Sequence, residues 1–380
     1  MYSIYYLVGS TRHVVYNPFD SNGQITSGTY HRETNTIGTL SFTVLYNHPC
    51  HSYFEEYKGT ILLYWNNTLL YKFRIIKIHR NFYNTLTIQC EGLLGYLNDS
   101  IVRPYTFNET HWLYPIGDPG AHVCTVVEFL RELIALHNIQ VTAAQQFEFV
   151  DETNGAFDSI AFTTSQTSYV KSWDEIESKV LKNIGGYVQL RFSGESNQFV
   201  FKAALTESNA QAVRFAQNLK DLELETSSQK FATALSPTST YTDENNQRQT
   251  IGIYNVNGGV EYVQNADAVA RYGRIIEYVQ YEGIPSAGKL KELAQRDLNA
   301  YINRGKPIKA SATDMSAFDS NTYNPLEVDK KTRIISAVNG VDIMPVLNSF
   351  DVDLLDPRSS TYTFNGEVPS FVRKTYTYRA

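Results

Sequence analysis

By type, the residues best suited to chemistry are His48, Cys50 and His51, in the run His48-Pro49-Cys50-His51. Two imidazoles and a thiol can ligate a metal, and a thiol beside an imidazole can act as a nucleophile. A tetrahedral site needs ligands converging from separate segments, and no second Cys/His pair stands at zinc spacing. The run therefore reads as a polar loop joining two strands. His111, His122 and Cys124 raise the Cys–His question again, but Cys124 opens an apolar helical stretch, where a small buried residue is the usual occupant. Gly185-Gly186 and Gly258-Gly259 lack the Lys-Ser/Thr and the strand-to-helix context of a phosphate loop. The carboxylates are dispersed, and Glu55-Glu56 or Asp351 with Asp353 read as solvated strand or turn positions. A glycosidase pair can be distant in sequence, and nothing here argues for one. The expectation is that no catalytic, cofactor-binding or metal residue is present, that no cofactor is used and that the chain is not an enzyme.

The elements around these residues are mostly strands. Leu40, Phe42 and Val44 alternate with Ser41 and Thr43, the period of a half-buried strand. Thr60–Trp65 and Leu69–Ile78 flank Asn66-Asn67, a pair that tolerates positive φ, so they predict a β-hairpin. Thr85–Cys90 predicts a third strand, ending where Leu93–Leu97 turns towards a short helical piece. Ile4–Val8 and His13–Tyr16 add two more, giving an N-terminal β-barrel-like domain over 1–104. A stretch rich in Pro, Gly and aromatics, 103–120, then reads as an ordered connector.

Helical spacing predicts a helix over Val123–Asn138, with Thr125 and Glu128 as a capping box. Ser172 with Glu175 starts a second helix, which Gly185-Gly186 stops. Tyr187–Phe192 and Gln198–Phe201 alternate as a hairpin, so 105–220 is expected to be a connector and an α+β domain. From Asp221 strands return, including Phe231–Pro237, Thr250–Tyr254, Asp267–Ile275 and Ile276–Tyr281. Ser286–Asn303 is a helix. Strands then resume at Ile308–Thr313, and 221–380 is expected to form a second β-barrel-like domain with that one helix.

The 380 residues exceed what a single core supports. Hydrophobic residues are 42% and charged residues 19%, as in a folded protein. Tyr (27) and Phe (20) lean the chain towards β structure. A net charge of −6 without a basic run gives no footprint for nucleic-acid binding. A conduit that lets DNA pass would itself be lined by neutral or acidic groups. Three scattered cysteines do not make a disulfide framework and suggest reduced thiols. The N-terminus lacks a basic region and a cleavage site, and no apolar run approaches the roughly 18 residues of a transmembrane helix. A soluble protein without a membrane anchor is expected.

Several pieces in order resemble a known family. Asn35-Thr36-Ile37-Gly38-Thr39-Leu40-Ser41-Phe42-Thr43-Val44 is followed by a hairpin and then by Ile88-Gln89-Cys90-Glu91-Gly92-Leu93-Leu94-Gly95-Tyr96-Leu97-Asn98-Asp99-Ser100. Further on stand Tyr262-Val263-Gln264-Asn265, Tyr272-Gly273-Arg274-Ile275, Ala312-Thr313-Asp314-Met315-Ser316, Leu355-Asp356 and Thr361–Gly366. Together, over roughly 1–370, these resemble the siphophage tail-tip proteins. That family comprises the tail-associated or prophage endopeptidase tail proteins, similar in fold to the baseplate hub of contractile-tailed phages.

The resemblance implies a mainly β fold with α+β parts, in which two β-barrel-like domains and smaller α+β domains are arranged like a phage baseplate hub. It implies a homotrimer with pseudo-sixfold symmetry below a hexameric distal tail protein. That trimer would cap the tail tube, seat the tape measure protein and open at infection so that DNA leaves without being bound specifically. Receptor-binding or baseplate proteins are further implied partners, and the implied location is the virion tail tip, after synthesis in the host cytoplasm. Family members often continue into a peptidoglycan-cleaving or receptor-binding domain, whereas this sequence ends at Ala380. The alternatives are a tail lysin and a receptor- or carbohydrate-binding module. The second is suggested by Trp65, Trp112, Tyr114 and Trp173, although helical neighbours make Trp173 a core residue. Asp243–Gln249 and Tyr105–Pro115 are expected to reach neighbouring subunits.

Overall fold

The structure is a computed structural model that describes residues 1–107, 124–158, 162, 164–194, 196–224, 231–242, 247–282, 284, 286–303 and 308–365. Its largest element is an 11-stranded antiparallel sheet. The first hundred residues supply β1 (Tyr2–Val8), β2 (Thr11–Tyr16), β3 (Ser27–Glu33), β4 (Thr39–Val44), β5 (Thr60–Trp65), β6 (Thr68–Arg80) and β7 (Leu86–Gly92). The second half supplies β8 (Leu219–Leu224), β9 (Ile308–Ala312), β10 (Val346–Asp353) and β11 (Thr361–Asn365). The order is β8-β9-β11-β10-β3-β4-β7-β6-β5-β1-β2. At the seam between the two halves, β10 runs against β3 with Phe350 opposite Arg32 and Asp351 opposite His31. The sheet therefore joins strands from the first hundred residues to strands from the second half, and β8 spans positions 220 and 221.

Strict alternation explains why these segments are strands. On one side Tyr30, Leu40, Phe42, Ile88, Val352 and Phe364 are buried in a single core. On the other, Thr29, Ser41, Thr87 and Thr361 are partly or fully exposed. That single core joins residues from Tyr2 to Cys90 with residues from Val213 to Phe364.

A second core lies within 93–201. The helix Val126–Gln140 starts at the expected capping box, with Thr125 Oγ1 accepting from the Glu128 N–H and Glu128 Oε2 accepting from the Thr125 N–H. It packs beside a three-stranded sheet in which Ser196–Lys202 lies between Tyr187–Ser193 and Phe147–Glu152. The helix expected from Ser172 is α-helical only over Ser172–Glu175 and continues as a π-helix over Ile176–Leu181.

The third core comes from 232–298. Ala234–Thr242 is the central strand, paired with Arg248–Gly252, Val263–Gln264 and, in parallel, Ile276–Glu282. The helix Ala287–Asn303 packs on that central strand through Leu290, Ala294 and Leu298. One expectation is corrected here: 267–275 is not a strand but carries the helix Ala266–Tyr272. Asn265 caps it by accepting from the Ala268 N–H at 2.9 Å, and Gly273 ends it at φ +80°. These two end signals outweigh a strand-like Val-Ala-Arg-Tyr run. The chain is thus mainly β with α+β parts. No helix among the described residues is long and apolar enough to cross a membrane.

Candidate functional site

The His48–His51 loop is held by backbone carbonyls. The Nδ1 of His48 accepts from the Cys50 N–H at 3.1 Å, so the ring proton sits on Nε2, which donates to the Val15 carbonyl at 2.9 Å. Cys50 Sγ donates to the Val14 carbonyl, and His51 Nε2 donates to the Asn84 carbonyl. Val14 and Val15 belong to β2, the last strand of the large sheet. The loop therefore covers an edge that would otherwise offer free carbonyls to another chain. Burial lowers the His48 pKa and pushes the Cys50 thiol up to about 11, so the thiol stays protonated and suits neither a thiolate ligand nor a nucleophile.

Cys124 is buried beside the helix cap, while His111 and His122 lie outside the described residues. Among the described residues, no group of three or more His, Cys, Asp or Glu could hold a metal. Trp173 is in the second core, as expected. Trp65 is also buried, edge-to-face with Tyr2, so it is not an exposed binding aromatic. Trp112 and Tyr114 lie outside the described residues, as do 243–246 of the polar loop and 108–115 of the connector.

The structure assembles one group that sequence reading missed. Ser100 Oγ lies 2.7 Å from His137 Nδ1 and 2.6 Å from Ser172 Oγ, and His137 Nε2 lies 3.0 Å from the Gln145 carbonyl. Because a carbonyl only accepts, Nε2 carries the proton and Nδ1 accepts from Ser100. This resembles a nucleophile–base pair, but all three side chains are at 0% exposure. No substrate can reach it, and the arrangement ties the segment that follows the short 3-10 helix Leu93–Asn98 to the helices starting at Val126 and Ser172. Residues 37 and 72 positions apart leave no local signal for it.

The residues carrying the family resemblance converge on joints. Asn35, at φ +59°, donates from Nδ2 to the Gly186 carbonyl at 3.0 Å and accepts at Oδ1 from the Val188 N–H at 2.8 Å. One side chain from the first core thus acts as a backbone partner for a strand of the second. Gly38 accepts from the Gly92 N–H, and a Cβ on Gly92 would stand 2.2 Å from the Ile37 carbonyl oxygen. Glu91 and Asp99 both pair with Arg74, whose Nη2 also donates to the Gly95 carbonyl at 2.9 Å. The Arg74 guanidinium lies over the rings of Tyr57 and Tyr96 and is 6% exposed. A buried Arg is tolerable when both its charge and its fork of donors are matched in this way.

Asp314 does the same for the second half. Its Oδ1 accepts from Gln211 Nε2 at 2.6 Å and from the Ser316 N–H at 2.8 Å, and its Oδ2 accepts from the Leu326 N–H at 2.7 Å. Three segments are pinned by one buried carboxylate.

Known proteins agree with this architecture. Residues 206–375 match the model of the prophage endopeptidase tail family. The fold matches the 43 kDa tail protein of prophage MuSo2 from Shewanella oneidensis with a TM-score of 0.58 at 12% identity, over 97% of this chain and 99% of that one. It matches a tail protein from Neisseria meningitidis MC58 with a TM-score of 0.57 at 9% identity, over 96% and 97%. Prophage tail protein gp18 from Listeria monocytogenes EGD-e gives a TM-score of 0.57 at 12% identity, over 97% and 95%. A comparison with curated proteins found no match. Residues 206–375 are thus similar to the prophage endopeptidase tail family, and the chain as a whole has a fold like that of these prophage tail proteins.

Proposed function

We propose that this chain is a structural, non-enzymatic subunit of a phage tail tip. In this reading it forms a trimeric hub below a hexameric distal tail protein, caps the tail tube, meets the tape measure protein and opens for DNA release. The observation that carries the reading is the end-to-end fold match to tail proteins, together with the role of the residues on which the family resemblance rests. Asn35, Gly92, Glu91, Asp99 and Asp314 lock elements to one another. Such residues suit a part that must keep its shape under load. Light scattering behind a sizing column tests the trimer: one chain is 43.2 kDa, and a stable threefold mass is expected, alone or once the distal tail protein is added. Failure to assemble under both conditions would overturn it.

The family's description supplies a second reading, a tail-borne peptidase. Zymography on host cell walls separates the two. No cleared band is expected, and a band that survives repurification would replace the structural reading.

A further inference from the structure

Among the described residues Phe82 is the most exposed large hydrophobic side chain, at 95%, and Tyr83 beside it is 77% exposed. They form the apex of the turn that joins β6 to β7, and their rings meet edge-to-face with centroids 5.4 Å apart. Asn81 shapes that turn. Its Oδ1 accepts from the Tyr83 N–H at 3.0 Å and from the Thr85 N–H at 2.9 Å, while its own N–H donates to the Thr85 carbonyl. The Asn84 carbonyl accepts from His51 Nε2 at 2.9 Å, which ties the apex to the 48–51 loop. Val44 pairs with Leu86, so Leu45 and Tyr46, 45% and 67% exposed, leave β4 beside the same turn. Apolar rings held in water by a fixed turn gain when they are covered, and covering them costs little ordering entropy.

The charge around this apex is opposite in sign to that of the chain. The protein carries −6, yet positions 79–86 and 45–53 hold no Asp or Glu. Arg80 flanks the apex, His79 and Lys77 stand behind it on β6, and all three are exposed. The two carboxylates that follow the second stretch are engaged: Glu56 Oε1 accepts from the Ile78 N–H at 3.0 Å, and Glu55 holds Lys58 at 2.7 Å.

We propose that the Phe82–Tyr83 apex is a reversible membrane contact, and that its occupant is the headgroup layer of a bilayer containing anionic phospholipid. Aromatic side chains settle at the boundary between headgroups and acyl chains, where the ring is covered and a phenol stays wet. Lys and Arg beside them draw the turn towards anionic headgroups over about a Debye length. Both contributions sit on this one turn. The contact lies on the membrane surface, since a turn is far too short to span it. It stands on the turn itself, whichever assembly the chain enters. An acidic protein with an apolar groove would satisfy the same chemistry, so the test must separate the two.

Vesicle co-sedimentation of the purified full chain does so. Wild type should pellet with vesicles of phosphatidylglycerol and phosphatidylcholine in equal parts, pellet less with phosphatidylcholine alone, and be released by salt. Phe82→Ser combined with Tyr83→Ser should weaken binding at least about tenfold. Lys77→Gln combined with Arg80→Gln should remove the preference for the anionic lipid. All four side chains are exposed, so unfolding midpoints should match that of wild type. Because the native cysteines are buried, Tyr83→Cys also accepts a single polarity-sensitive dye, whose emission should shift to the blue with the anionic vesicles. No pelleting of wild type, pelleting of the serine variant at the wild-type level, or an unshifted dye would each overturn the proposal. Wild type that ignores vesicles, with a serine variant that fails to enter tails, would assign the turn to a protein partner instead.

Discussion

The Oδ1 of Asn35 accepts from the backbone N–H of Val188 at 2.8 Å, and the same side chain donates to Gly186, so a loop of the first core completes a strand of the second. Asn35 also sits at φ +59°, where Asn and Gly are tolerated and other residues are strained. Replacement by Gly keeps the backbone but leaves an N–H and a carbonyl without their partners, at a cost of about 1–3 kcal/mol. Replacement by Ala should add roughly 1 kcal/mol of left-handed strain. Urea unfolding should therefore rank wild type above Asn35→Gly above Asn35→Ala. A Gly variant as stable as wild type would mean that the joint contributes nothing.

Gly92 is a second such joint, and its argument is steric. A Cβ there would lie 2.2 Å from the Ile37 carbonyl oxygen, next to the Gly92–Gly38 hydrogen bond, and 2.6 Å from the ring of Tyr71 on β6. Gly194 is the control: it has a positive φ of +60° but nothing within 4 Å of the added carbon. Gly194→Ala should cost about 1 kcal/mol from backbone strain alone. Gly92→Ala should exceed the roughly 1–3 kcal/mol typical of overpacking, because the clash is with backbone. Thermal midpoints measured side by side decide the matter, and equal losses would mean that the strands yield easily.

Much of this fold was legible because its signals are local. The alternation at Leu40–Val44, the Asn66 hairpin and the Thr125–Glu128 box each lie within a few residues, and the structure places all three as read. The helix at Ala266–Tyr272 was misread although Asn265 and Gly273 bracket it, because a Val-containing run between aromatics outweighed its caps in the reading. The seam between β3 and β10 was not legible. Its partners are more than 300 residues apart, and an antiparallel edge accepts many neighbours of suitable pattern. The Ser100–His137–Ser172 cluster was hidden for the same reason. The spacing of His48 and Cys50 gave no sign of their use as a cover for the edge of β2, which depends on three-dimensional placement.

Thiol reactivity follows from burial. Cys50, Cys90 and Cys124 are all at most 3% exposed, and burial holds the thiols of Cys50 and Cys90 well above the usual range. With a value of about 11 at Cys50, only about a thousandth of that thiol is ionised at pH 8, so it should react slowly even if reached. A disulfide-exchange reagent should find almost no thiol in the native protein and three after unfolding in urea. Rapid native reaction of one equivalent would show that a cysteine is accessible.

Acid sensitivity should begin well above the carboxylate range. Burial lowers the pKa of His137 and of His48 below 6.5, so each folded imidazole resists a proton that the unfolded chain accepts. The stability that neutral His137 and His48 contribute is complete above about 6.5 and declines as pH falls towards their folded values. While a group lies between its two values, the slope approaches about 1.4 kcal/mol per pH unit. The N-terminal amine, lowered by burial from 8.0 to about 6, acts in the same direction at higher pH. His137→Gln isolates the buried histidine: its amide can accept from Ser100 and donate to the Gln145 carbonyl without titrating. Unfolding free energies measured from pH 7.5 to 5.5 should fall for wild type and fall less steeply for His137→Gln. Parallel slopes for the two proteins would show that His137 is protonated as readily in the folded state as in the unfolded one.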